Sequence, residues 1–535
     1  MLSKILSAVV LGIDALPITI ETVVERGIGF TIVGLPDTAV KESSQRIMAA
    51  ITQSAVPFSF PRKRIVINLA PASLRKVGSG FDLPMALGLL TAGEAIPMQP
   101  FGEVMAVGEL SLSGKVIAAK GLLPIAIKAR AMGVKRLIVP KANVTEAAIV
   151  NNLEVYGVET LKEAIAVMTG DPSAPSPTKV DTRARFAVPA DAQGADFCDV
   201  KGQEAAKRAL EVACAGGHNI LLVGPPGSGK SMMAKCIPSI LPPLTLHEAL
   251  ETTKIHSVAG NMPPGATLLT QRPFRSPHHT LSPVSMVGGG TNPRPGEISM
   301  AHNGVLYLDE FPEFPRTVLE VLRQPLEDRS VTVTRAAYSV VYPASFMLAA
   351  SMNPCPCGYY NHPTRRCSCP PGAVQRYMSR LSGPLLDRID IQVEIEPVAF
   401  SDMADKTPAE SSAQIRQRVI AARRVQQERF AQNPGIHCNA QMNSRLLHEY
   451  AWPGEDGLKK LQERMTRLDM SARAFDRILR VARTIADLDY ASRQNSDGTP
   501  LHSPAEAAVM PVSVAHIAEA IGYRSLDRAS YGLSL

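Results

Sequence analysis

Residues 219–231 read NILLVGPPGSGKS, and this stretch decides the fold of the middle of the chain. Asn219–Val223 is a short apolar run typical of a buried strand, and the MMAKCI sequence after Ser231 begins a helix. The glycine-rich loop between them follows the pattern G-x-x-x-x-G-K-S, in the strand–loop–helix context in which this pattern is meaningful. A strand that leads directly into such a loop and helix is typical of an α/β domain with a parallel sheet.

The glycine-rich loop predicts a site for the phosphates of a nucleotide. Its backbone N–H groups can turn inward around a β-phosphate, where the amino end of the following helix adds positive potential. Lys230 would supply a positive charge to the β- and γ-phosphates, and the Ser231 hydroxyl would be a ligand of Mg²⁺. The predicted nucleotide-binding residues of the loop are Gly224, Pro225, Pro226, Gly227, Ser228, Gly229, Lys230 and Ser231.

A second apolar run, residues 304–310, reads GVLYLDE and ends in two carboxylates. Asp309 at the end of this predicted strand would hold Mg²⁺, directly or through water, and Glu310 would polarise the attacking water as a general base. Two acidic residues after a strand can also simply begin a turn. Their pairing with the glycine-rich loop favours the catalytic interpretation, so the sequence predicts Mg²⁺-dependent hydrolysis of ATP.

Longer stretches of the chain resemble a known family. They include RSPHHTLSPVSMVGGGTNPRPGEISMAHNGVLYLDEFPEF, LRQPLED, NPCPCG and SGPLLDRID, together with GLPDTAVKES, NLAPASL and GSGFDLPMALGLL nearer the N-terminus. These motifs are similar to those of the bacterial ComM/YifB family of magnesium-chelatase-like AAA+ ATPases, and the resemblance extends to about residue 530. It implies an α/β fold: a P-loop AAA+ core with a parallel sheet flanked by helices and a helical lid, preceded by an N-terminal α+β domain like that of Lon proteases.

Local composition and the resemblance together divide the chain into segments. Residues 1–168 alternate strand-like and helix-like runs and form the predicted Lon-protease-like domain. Prolines and small polar residues mark 169–195 as a linker. Residues 196–400 contain the predicted AAA+ core, with a helix-2-type insert, a hairpin insert and a cysteine cluster. Residues 401–535 form the predicted helical lid domain.

The resemblance also implies roles for three further residues. Asn353 in SMNP would orient the lytic water, from a strand that lies between the two described above. Arg388 in LLDRID corresponds to an arginine finger that reaches the γ-phosphate of a neighbouring subunit, and Arg473 in SARAFDRIL to the second sensor arginine. A surface Arg388 paired with Asp387 or Asp390, and a merely solvated basic helix around Arg473, are the alternatives. An arginine finger from a neighbour implies an ATP-dependent hexamer.

Two inserts are shared with this family: the glycine-rich Ser285–Glu297 and the hairpin-like Ser330–Pro343. The second insert alternates as TVTV and YSVV, which is typical of two paired strands. In ring helicases of related build such hairpins line the pore and contact the nucleic-acid backbone, which makes Arg329 and Arg335 the candidate contacts to DNA phosphates. A hairpin that only packs between subunits is the alternative.

The N-terminal domain differs from active Lon proteases at the positions that carry their chemistry. Those enzymes use a serine in a glycine-proline-serine-alanine-glycine motif and a downstream lysine as its base. Here GSGFDLPMA has Phe81 or Asp82 at the place of the serine, and AAKGLLPIA has Leu123 near the place of the lysine. Ser79 and Lys120 lie close by but out of register. We therefore expect no Ser–Lys dyad, no peptidase activity, and a role in assembly or DNA engagement.

Half of the eight cysteines fall within fifteen residues, in the pattern C-x-C-x9-C-x-C. They are Cys355, Cys357, Cys367 and Cys369. Four thiolates can enclose Zn²⁺ tetrahedrally, and such clustering in a chain without a secretion signal favours metal over disulfides. The C-x-C spacing is tighter than the C-x2-C of zinc ribbons, and His362 could replace one ligand. Zn²⁺, one or two disulfides, and reduced thiols in a loop all remain open.

These motifs and the resemblance imply an ATP-hydrolysing AAA+ motor. The expected function is that of a hexameric DNA helicase that drives branch migration in homologous recombination and natural transformation, with single-stranded or branched DNA as partner. A chelatase-type motor acting on a protein partner and an ATP-dependent protease regulator are the alternatives. The net charge of +7 permits a nucleic-acid partner without requiring one. Since no run of about 18 apolar residues predicts a membrane span, we expect a cytoplasmic protein.

Overall fold

The computed structural model describes most of the chain, and its buried apolar side chains fall into separate clusters. The described residues are 1–60, 62–181, 195–263, 266–290, 293–335, 338–398, 409–433, 435–468, 471–493 and 500–524. Two clusters contain only buried residues up to Met168, and the other two contain only buried residues from Phe197 onward. Residues 182–194 of the predicted linker lie outside the described set. At the start of that linker, the backbone N–H of Thr178 donates to the carbonyl of Val155 and lies against the N-terminal sheet.

The described residues before the linker form a mixed sheet covered by helices. Its seven strands are, in order across the sheet, Gly29–Val33, Lys63–Ala70, Asp14–Arg26, Leu2–Leu11, Val104–Ala106, Arg136–Pro140 and Glu154–Val158. The helices are Thr38–Gln53, Asp82–Ala92, Leu122–Ala131, Val144–Ala147 and Leu161–Thr169. Alternation in the second strand places Ile65, Ile67 and Leu69 on one buried face, which packs against the helices.

The second sheet, within the described residues after the linker, is entirely parallel. Its five strands are, in order, Phe274–Arg275, Val305–Leu308, Met347–Met352, Ile220–Val223 and Ile391–Glu394. The three central strands are buried along their whole length, which explains their continuous apolar sequences. The α/β fold class predicted from the sequence is confirmed, and the strand that precedes Asn353 lies between the strands that carry the P-loop and Asp309.

Helices flank this core sheet, and two short antiparallel strand pairs accompany it. The helices are Glu204–Gly216, Lys230–Ile240, Leu246–Ala259, Pro283–Val287, Glu297–Met300, Arg316–Val321, Arg323–Asp328, Ala373–Met378 and Gly383–Leu386. The glycine-rich insert contains the paired strands Gly288–Gly289 and Arg294–Pro295. The predicted hairpin consists of the paired strands Ser330–Arg335 and Tyr338–Pro343, and its turn residues 336–337 lie outside the described set.

The described residues after 408 are mainly helical. The helices are Ser412–Arg429, Ser444–Tyr450, Glu455–Leu468, Ala472–Ser492, Pro504–Val509 and Val514–Gly522. A completely buried ion pair of 2.6 Å between Arg429 and Asp487 joins the first of these helices to the fourth. Among the described residues, none of the helices is both long and apolar enough to cross a membrane.

Candidate active site

The glycine-rich loop lies at the carboxyl edge of the core sheet, between the strand Ile220–Val223 and the helix Lys230–Ile240. Gly224 is packed so closely that a Cβ atom there would lie 2.6 Å from the carbonyl oxygen of Ile395. Gly229 precedes the helix with a φ of +86°, a conformation that glycine adopts without strain. The loop therefore requires glycine at these positions, and the helix directs its amino end, where anions are stabilised, toward the loop.

Lys230 is the first residue of that helix, and its ammonium group is turned back onto the loop. Nζ donates to the carbonyl oxygens of Gly224 at 2.7 Å and Pro225 at 2.8 Å, and to Oδ1 of Asn353 at 3.2 Å. Burial lowers the pKa of Lys230 to about 8, although the nearby Asp309 acts in the opposite direction. The phosphate oxygens of a nucleotide would be stronger acceptors for the same N–H groups, because the hydrogen bond would then join two charges.

Ser231 and Asp309 lie side by side at the edge of the sheet. Ser231 Oγ donates to Asp309 Oδ2 at 2.8 Å, and Ser351 Oγ donates to Asp309 Oδ1. Burial acts to raise the pKa of Asp309, but the hydrogen bonds from Ser351 and Ser231 outweigh it and hold that pKa below its ordinary value. The carboxylate is therefore charged at neutral pH. Together with the Ser231 hydroxyl it offers the hard oxygen ligands that Mg²⁺ prefers.

Glu310 turns away from the sheet immediately after Asp309. It adopts a left-handed backbone conformation, with φ +53° and ψ +46°, which residues other than glycine adopt rarely. Its carboxylate is 59% exposed, and Oε2 lies 3.3 Å from Nδ1 of His279. His279 follows the strand Phe274–Arg275 and packs edge-on against the ring of Phe314. An exposed carboxylate in this position can accept a proton from water, and His279 is the side chain that restrains it.

Asn353 follows the middle strand of the sheet directly, so its amide is next to Lys230. The strand Met347–Met352 pairs with the P-loop strand on one side and with the strand before Asp309 on the other. The carboxyl ends of parallel strands meet at one edge, which brings Lys230, Ser231, Asp309 and Asn353 together although they are far apart in sequence.

Arg388 lies at the opposite edge of the same sheet. It precedes the strand that begins at Ile391, and Ile391 pairs with Ile220, the first residue of the P-loop strand. Because these strands are parallel, Arg388 is at the amino edge, whereas Gly224 begins the loop about 13 Å farther along, at about 3.3 Å per residue. The predicted arginine finger is therefore remote from the nucleotide that its own loop would hold.

The guanidinium of Arg388 is 7% exposed and has a carboxylate partner. Its Nη2 pairs with Glu327, and its Nη1 donates to the carbonyl of Pro384. The alternative pairing expected for a surface arginine, with Asp387 or Asp390, is not the one the structure has. Instead Asp390 accepts from the backbone N–H of Asn219 at 2.9 Å and helps to fix this edge of the sheet.

Arg473 lies beside Arg388 rather than beside the P-loop. Its Nη1 is 3.9 Å from Asp387 Oδ2, and its side chain is 62% exposed. Arg477, one turn farther along the same helix, pairs with Asp390. The helix Ala472–Ser492 thus presents Arg473 at the amino edge of the core sheet, so both arginines expected at the γ-phosphate lie at the edge that is remote from their own glycine-rich loop.

The two arginines proposed for DNA contact occupy different places in the hairpin insert. Arg329 lies at its base and is half-buried, with Nη2 donating to the carbonyl of Ala440 at 2.9 Å and Nη1 to Ser345 Oγ at 3.4 Å. These bonds join the hairpin to the helical lid, which favours a structural role for Arg329. Arg335 ends the first strand next to the turn, and its side chain lies outside the described part of the structure.

The residues that replace a protease dyad in the N-terminal domain have structural partners. Asp82 is completely buried, accepts from Arg46 Nε at 2.6 Å and from Ser43 Oγ, and begins the helix Asp82–Ala92. Ser79 Oγ donates to Glu109. Lys120 instead extends toward the core, where a Cβ atom on Gly260 would lie 2.7 Å from its Nζ. Ser79 and Lys120 line the same cavity but have different neighbours, and the absence of a Ser–Lys dyad stays a prediction.

The four clustered cysteines converge in space. Their Sγ atoms all lie within 4.8 Å of one another, with separations of 3.3, 3.5 and 3.7 Å among Cys355, Cys357 and Cys367. A tetrahedral Zn²⁺ with Zn–S bonds of about 2.3 Å needs sulfur atoms about 3.8 Å apart. Burial acts to raise the pKa of Cys357, but hydrogen bonds, first from the Tyr359 N–H, lower it to about 5. The ring of His362 instead accepts from the N–H of Arg365 at 3.0 Å.

Three side chains of this region were not identified from the sequence: Ser351, His279 and Glu327. Ser351 lies two residues before Asn353 and hence on the same side of its strand. A polar residue within the apolar run MLAASM could have indicated a side chain of the site. His279 and Glu327 contact residues distant in sequence, and no local pattern indicates such partners.

Comparison with known proteins places each part of the chain in one family. A family model described as magnesium chelatase, subunit ChlI, matches residues 196–403, and the model of the C-terminal part of that subunit matches residues 409–498. A further model described as subunit ChlI of Mg-chelatase matches residues 20–143. The matched residues thus include the whole core sheet, most of the N-terminal sheet and much of the helical region.

Two relatives are similar over nearly the whole length, and a third over a part of the chain. The chain is 41% identical to protein YifB of Escherichia coli over 530 residues, which cover 98% of both chains. It is 38% identical to competence protein ComM of Haemophilus influenzae over 539 residues, which cover 100% of this chain and 99% of the relative. A Lon protease of Haemophilus influenzae is 29% identical over 172 residues, which cover 30% of this chain and 21% of that protein.

Proposed function

The chain belongs to the ComM/YifB family of magnesium-chelatase-like AAA+ ATPases, and from this membership we propose that it is a hexameric ATP-driven motor that acts on DNA. Its N-terminal domain resembles that of Lon proteases but carries no protease dyad in this proposal. The work of the motor is the movement of branched DNA, as in branch migration during homologous recombination.

Hydrolysis is assigned to the residues at the carboxyl edge of the core sheet. Lys230 neutralises charge on the β- and γ-phosphates, and Ser231 with Asp309 holds Mg²⁺, which when bound stabilises charge on the phosphate oxygens. Glu310 accepts the proton of the attacking water, and Asn353 orients that water. The hydrogen bond of 2.8 Å between Ser231 and Asp309 supports this assignment, because it brings the two proposed ligands to one point.

The ring is supported by a single observation: Arg388 and the glycine-rich loop lie at opposite edges of one parallel sheet. A chain cannot place Arg388 at the phosphates that its own loop holds, so the finger completes the site of another chain. Arg473 lies at the same edge and is assigned to the same neighbouring site. Chains that each contribute one edge to the next form a closed ring or an open filament, and resemblance to AAA+ ATPases favours a ring of six chains.

DNA as the substrate is supported more indirectly. One relative is named a competence protein, and the chain carries a net charge of +7. The hairpin Ser330–Pro343 is a two-stranded ribbon that buries one face, including Val333 and Tyr342, against the core, and Arg335 lies next to its turn. Contacts from such a hairpin to the phosphate backbone would move DNA irrespective of its sequence.

The proposed function is tested by measuring ATP hydrolysis without DNA, with single-stranded DNA and with a three-way junction. We expect DNA to stimulate the wild-type protein several-fold, the junction more than linear DNA. Glu310→Gln should reduce hydrolysis at least about 100-fold, because it removes the proposed base but keeps the shape of the side chain. If hydrolysis depends on Glu310 but none of the DNA substrates changes its rate, the proposed DNA motor is contradicted. The proposed ATPase activity would still stand.

That last outcome would favour a second candidate. The models that match the chain describe magnesium chelatase subunits, so a motor that acts on a protein partner would then be the better interpretation. Light scattering measures the oligomeric state, and so tests the proposed ring independently of the substrate. A chain that stays monomeric with Mg²⁺ and a non-hydrolysable ATP analogue would contradict the ring itself.

Zn²⁺ is the ion that we propose for the four cysteines. The sulfur separations of 3.3–3.7 Å leave room for an ion of this size, and four thiolates are its preferred structural ligand set. Protein purified without chelator should contain about one zinc per chain. Less than about a tenth of an equivalent, or a thiol count that reveals disulfides, would contradict this part of the proposal.

A further inference from the structure

The loop that carries the four cysteines (Cys355–Cys369, here the cysteine loop) lies directly against the glycine-rich loop. Gly358 is packed onto Pro226, and a Cβ atom on Gly358 would lie 2.4 Å from Cδ and 2.7 Å from Cγ of that proline. Gly358 also has a φ of +83°. The backbone of the cysteine loop therefore occupies the space next to the phosphate-binding loop, at a point where no side chain fits.

The same loop is joined to the active site at its beginning. Asn353 lies two residues before Cys355 and accepts a hydrogen bond from Lys230 at 3.2 Å. Just before it, the carbonyl of Met352 accepts from the N–H of Gly224 at 3.2 Å. The start of the cysteine loop and its contact at Pro226 thus flank the residues proposed to bind and hydrolyse ATP.

Cys355 holds the turn that makes the contact. Its side chain is completely buried, its Sγ accepts from the N–H of Tyr360 at 3.3 Å, and its carbonyl accepts from the N–H of Gly358 at 3.0 Å. Any force that fixes the Cys355 sulfur therefore also fixes the position of Gly358 relative to Pro226. A metal bound by four thiolates supplies such a force, because it ties Cys355 to Cys367 at the other end of the loop.

We propose that metal bound by the four cysteines sets the activity of the nucleotide site, through the contact of Gly358 with Pro226 and through Asn353. The inference rests on the proposed zinc site and adds a function to it. With metal bound, the loop braces the glycine-rich loop and holds Asn353 in place. Without metal, four thiols at these separations lose their common ligand, the turn at Gly358 opens, and Asn353 and Pro226 are no longer held.

The class of ion follows from the ligands. Thiolates select soft or borderline divalent ions such as Zn²⁺ or Cd²⁺ and bind Mg²⁺ poorly. The Mg²⁺ that assists hydrolysis and the ion that braces the loop are therefore chemically separate, and one can be removed while the other is supplied in excess. A thiol-reactive oxidant would release the ion too, which makes hydrolysis sensitive to oxidation at this loop.

The test compares two glycine substitutions in the full-length protein. Gly358→Ala introduces a side chain that meets Pro226, whereas Gly372→Ala adds one to a residue with a similar φ of +76° and with nothing within 4 Å. Zinc content, binding of a fluorescent ATP analogue and ATP hydrolysis are measured for each. We expect both variants to retain one zinc per chain, Gly358→Ala to lose hydrolysis at least tenfold, and Gly372→Ala to stay within about twofold of wild type.

A second pair of variants protects the test against misfolding of Gly358→Ala. Cys357→Ser removes a proposed ligand, and Cys198→Ser removes a thiol outside the cluster. We expect Cys357→Ser to lose its zinc and to hydrolyse ATP at least tenfold more slowly than the wild type. Cys198→Ser should keep both its zinc and its rate of hydrolysis.

The outcomes separate this inference from the proposals beneath it. If a variant that has lost its zinc, or Gly358→Ala, hydrolyses ATP at the wild-type rate, the coupling between metal and nucleotide site is overturned. The proposed ATPase activity would still stand. A wild-type protein without zinc would overturn the metal site and the coupling with it. If the wild type and Cys198→Ser bind the ATP analogue but do not hydrolyse ATP, the proposed function fails instead. In that case binding of the analogue still tests the contact, and equal affinity with and without zinc would overturn it.

Discussion

Lys230 donates to the carbonyl oxygens of Gly224 and Pro225, and burial lowers its pKa to about 8 from an ordinary value of 10.5. Bound phosphates are negative and raise the pKa of a nearby lysine again. Between about pH 8 and 10 the free site is largely neutral and the occupied site charged, so nucleotide binding should take up a proton, close to one per site near pH 9. Calorimetry in two buffers with different ionisation enthalpies measures this uptake. It should persist in Glu310→Gln, and binding at pH 9 without uptake would contradict it.

Glu310 is held by one side chain that the sequence did not indicate. His279 Nδ1 lies 3.3 Å from its carboxylate, whereas the adjacent His278 Nδ1 lies 3.0 Å from Thr280 Oγ1. A carboxylate engaged with histidine is less available to water, so His279→Ala should raise ATP hydrolysis about threefold, the value of one modest hydrogen bond. His247→Ala, which removes an exposed histidine that pairs with Glu251, is the control and should leave the rate unchanged. A lower rate in His279→Ala would mean that the histidine assists Glu310 instead.

At the scale of helices and strands, much of the core and of the N-terminal domain followed from local pattern, but not every element did. The strands Ile220–Val223 and Met347–Met352 are continuous apolar runs that end at polar motifs, so their position and their place in the sheet followed from pattern and resemblance. The helix Asp82–Ala92 is buried on every side, and a uniformly buried helix has no apolar stripe to reveal it. Ion pairs such as Arg388 with Glu327 join distant segments and depend on the folded arrangement.

The separation of Arg388 from the glycine-rich loop predicts that two inactive variants restore each other. Lys230→Ala removes the phosphate contact, and Arg388→Ala removes the finger. In mixed rings an Arg388→Ala chain can offer its intact loop to the intact Arg388 of its neighbour. In an equal mixture of the two variants, about a quarter of the interfaces should therefore combine an intact loop with an intact Arg388 and hydrolyse ATP. Mixtures as inactive as their parents would contradict a finger that acts between chains.

The hairpin insert provides a comparison between its two arginines. Arg335 lies next to the turn, and Arg329 donates to Ala440 in the lid. Arg335→Ala should weaken DNA binding for every sequence and reduce the slope of log affinity against log salt by about one, because one phosphate contact is lost. Arg329→Ala should leave that slope unchanged and lower the melting temperature. Equal loss of DNA binding in both variants would assign Arg329 to DNA as well.

Across the whole molecule, a small polar contact joins the N-terminal domain to the core. Glu146 is buried and accepts from the N–H of Leu123 at 3.0 Å and from Ser257 Oγ of the core helix, and the Ser257 carbonyl accepts from Gly121 N–H at 3.2 Å. Ser257→Ala leaves this carboxylate with one donor fewer and should cost about 1–3 kcal/mol of interdomain stability. Calorimetric melting should then separate into two transitions. The exposed Ser113→Ala is the control, and an unchanged single transition in Ser257→Ala would contradict the prediction.

If Arg388 serves the loop of another chain as proposed, the working unit would be the junction between two chains. The rate of ATP hydrolysis per chain would then rise with protein concentration. In a dilute sample every chain would be folded and able to bind ATP, yet turnover would be almost nil. Abundance in the cell would act as a threshold, and near it a doubling of expression would more than double the activity.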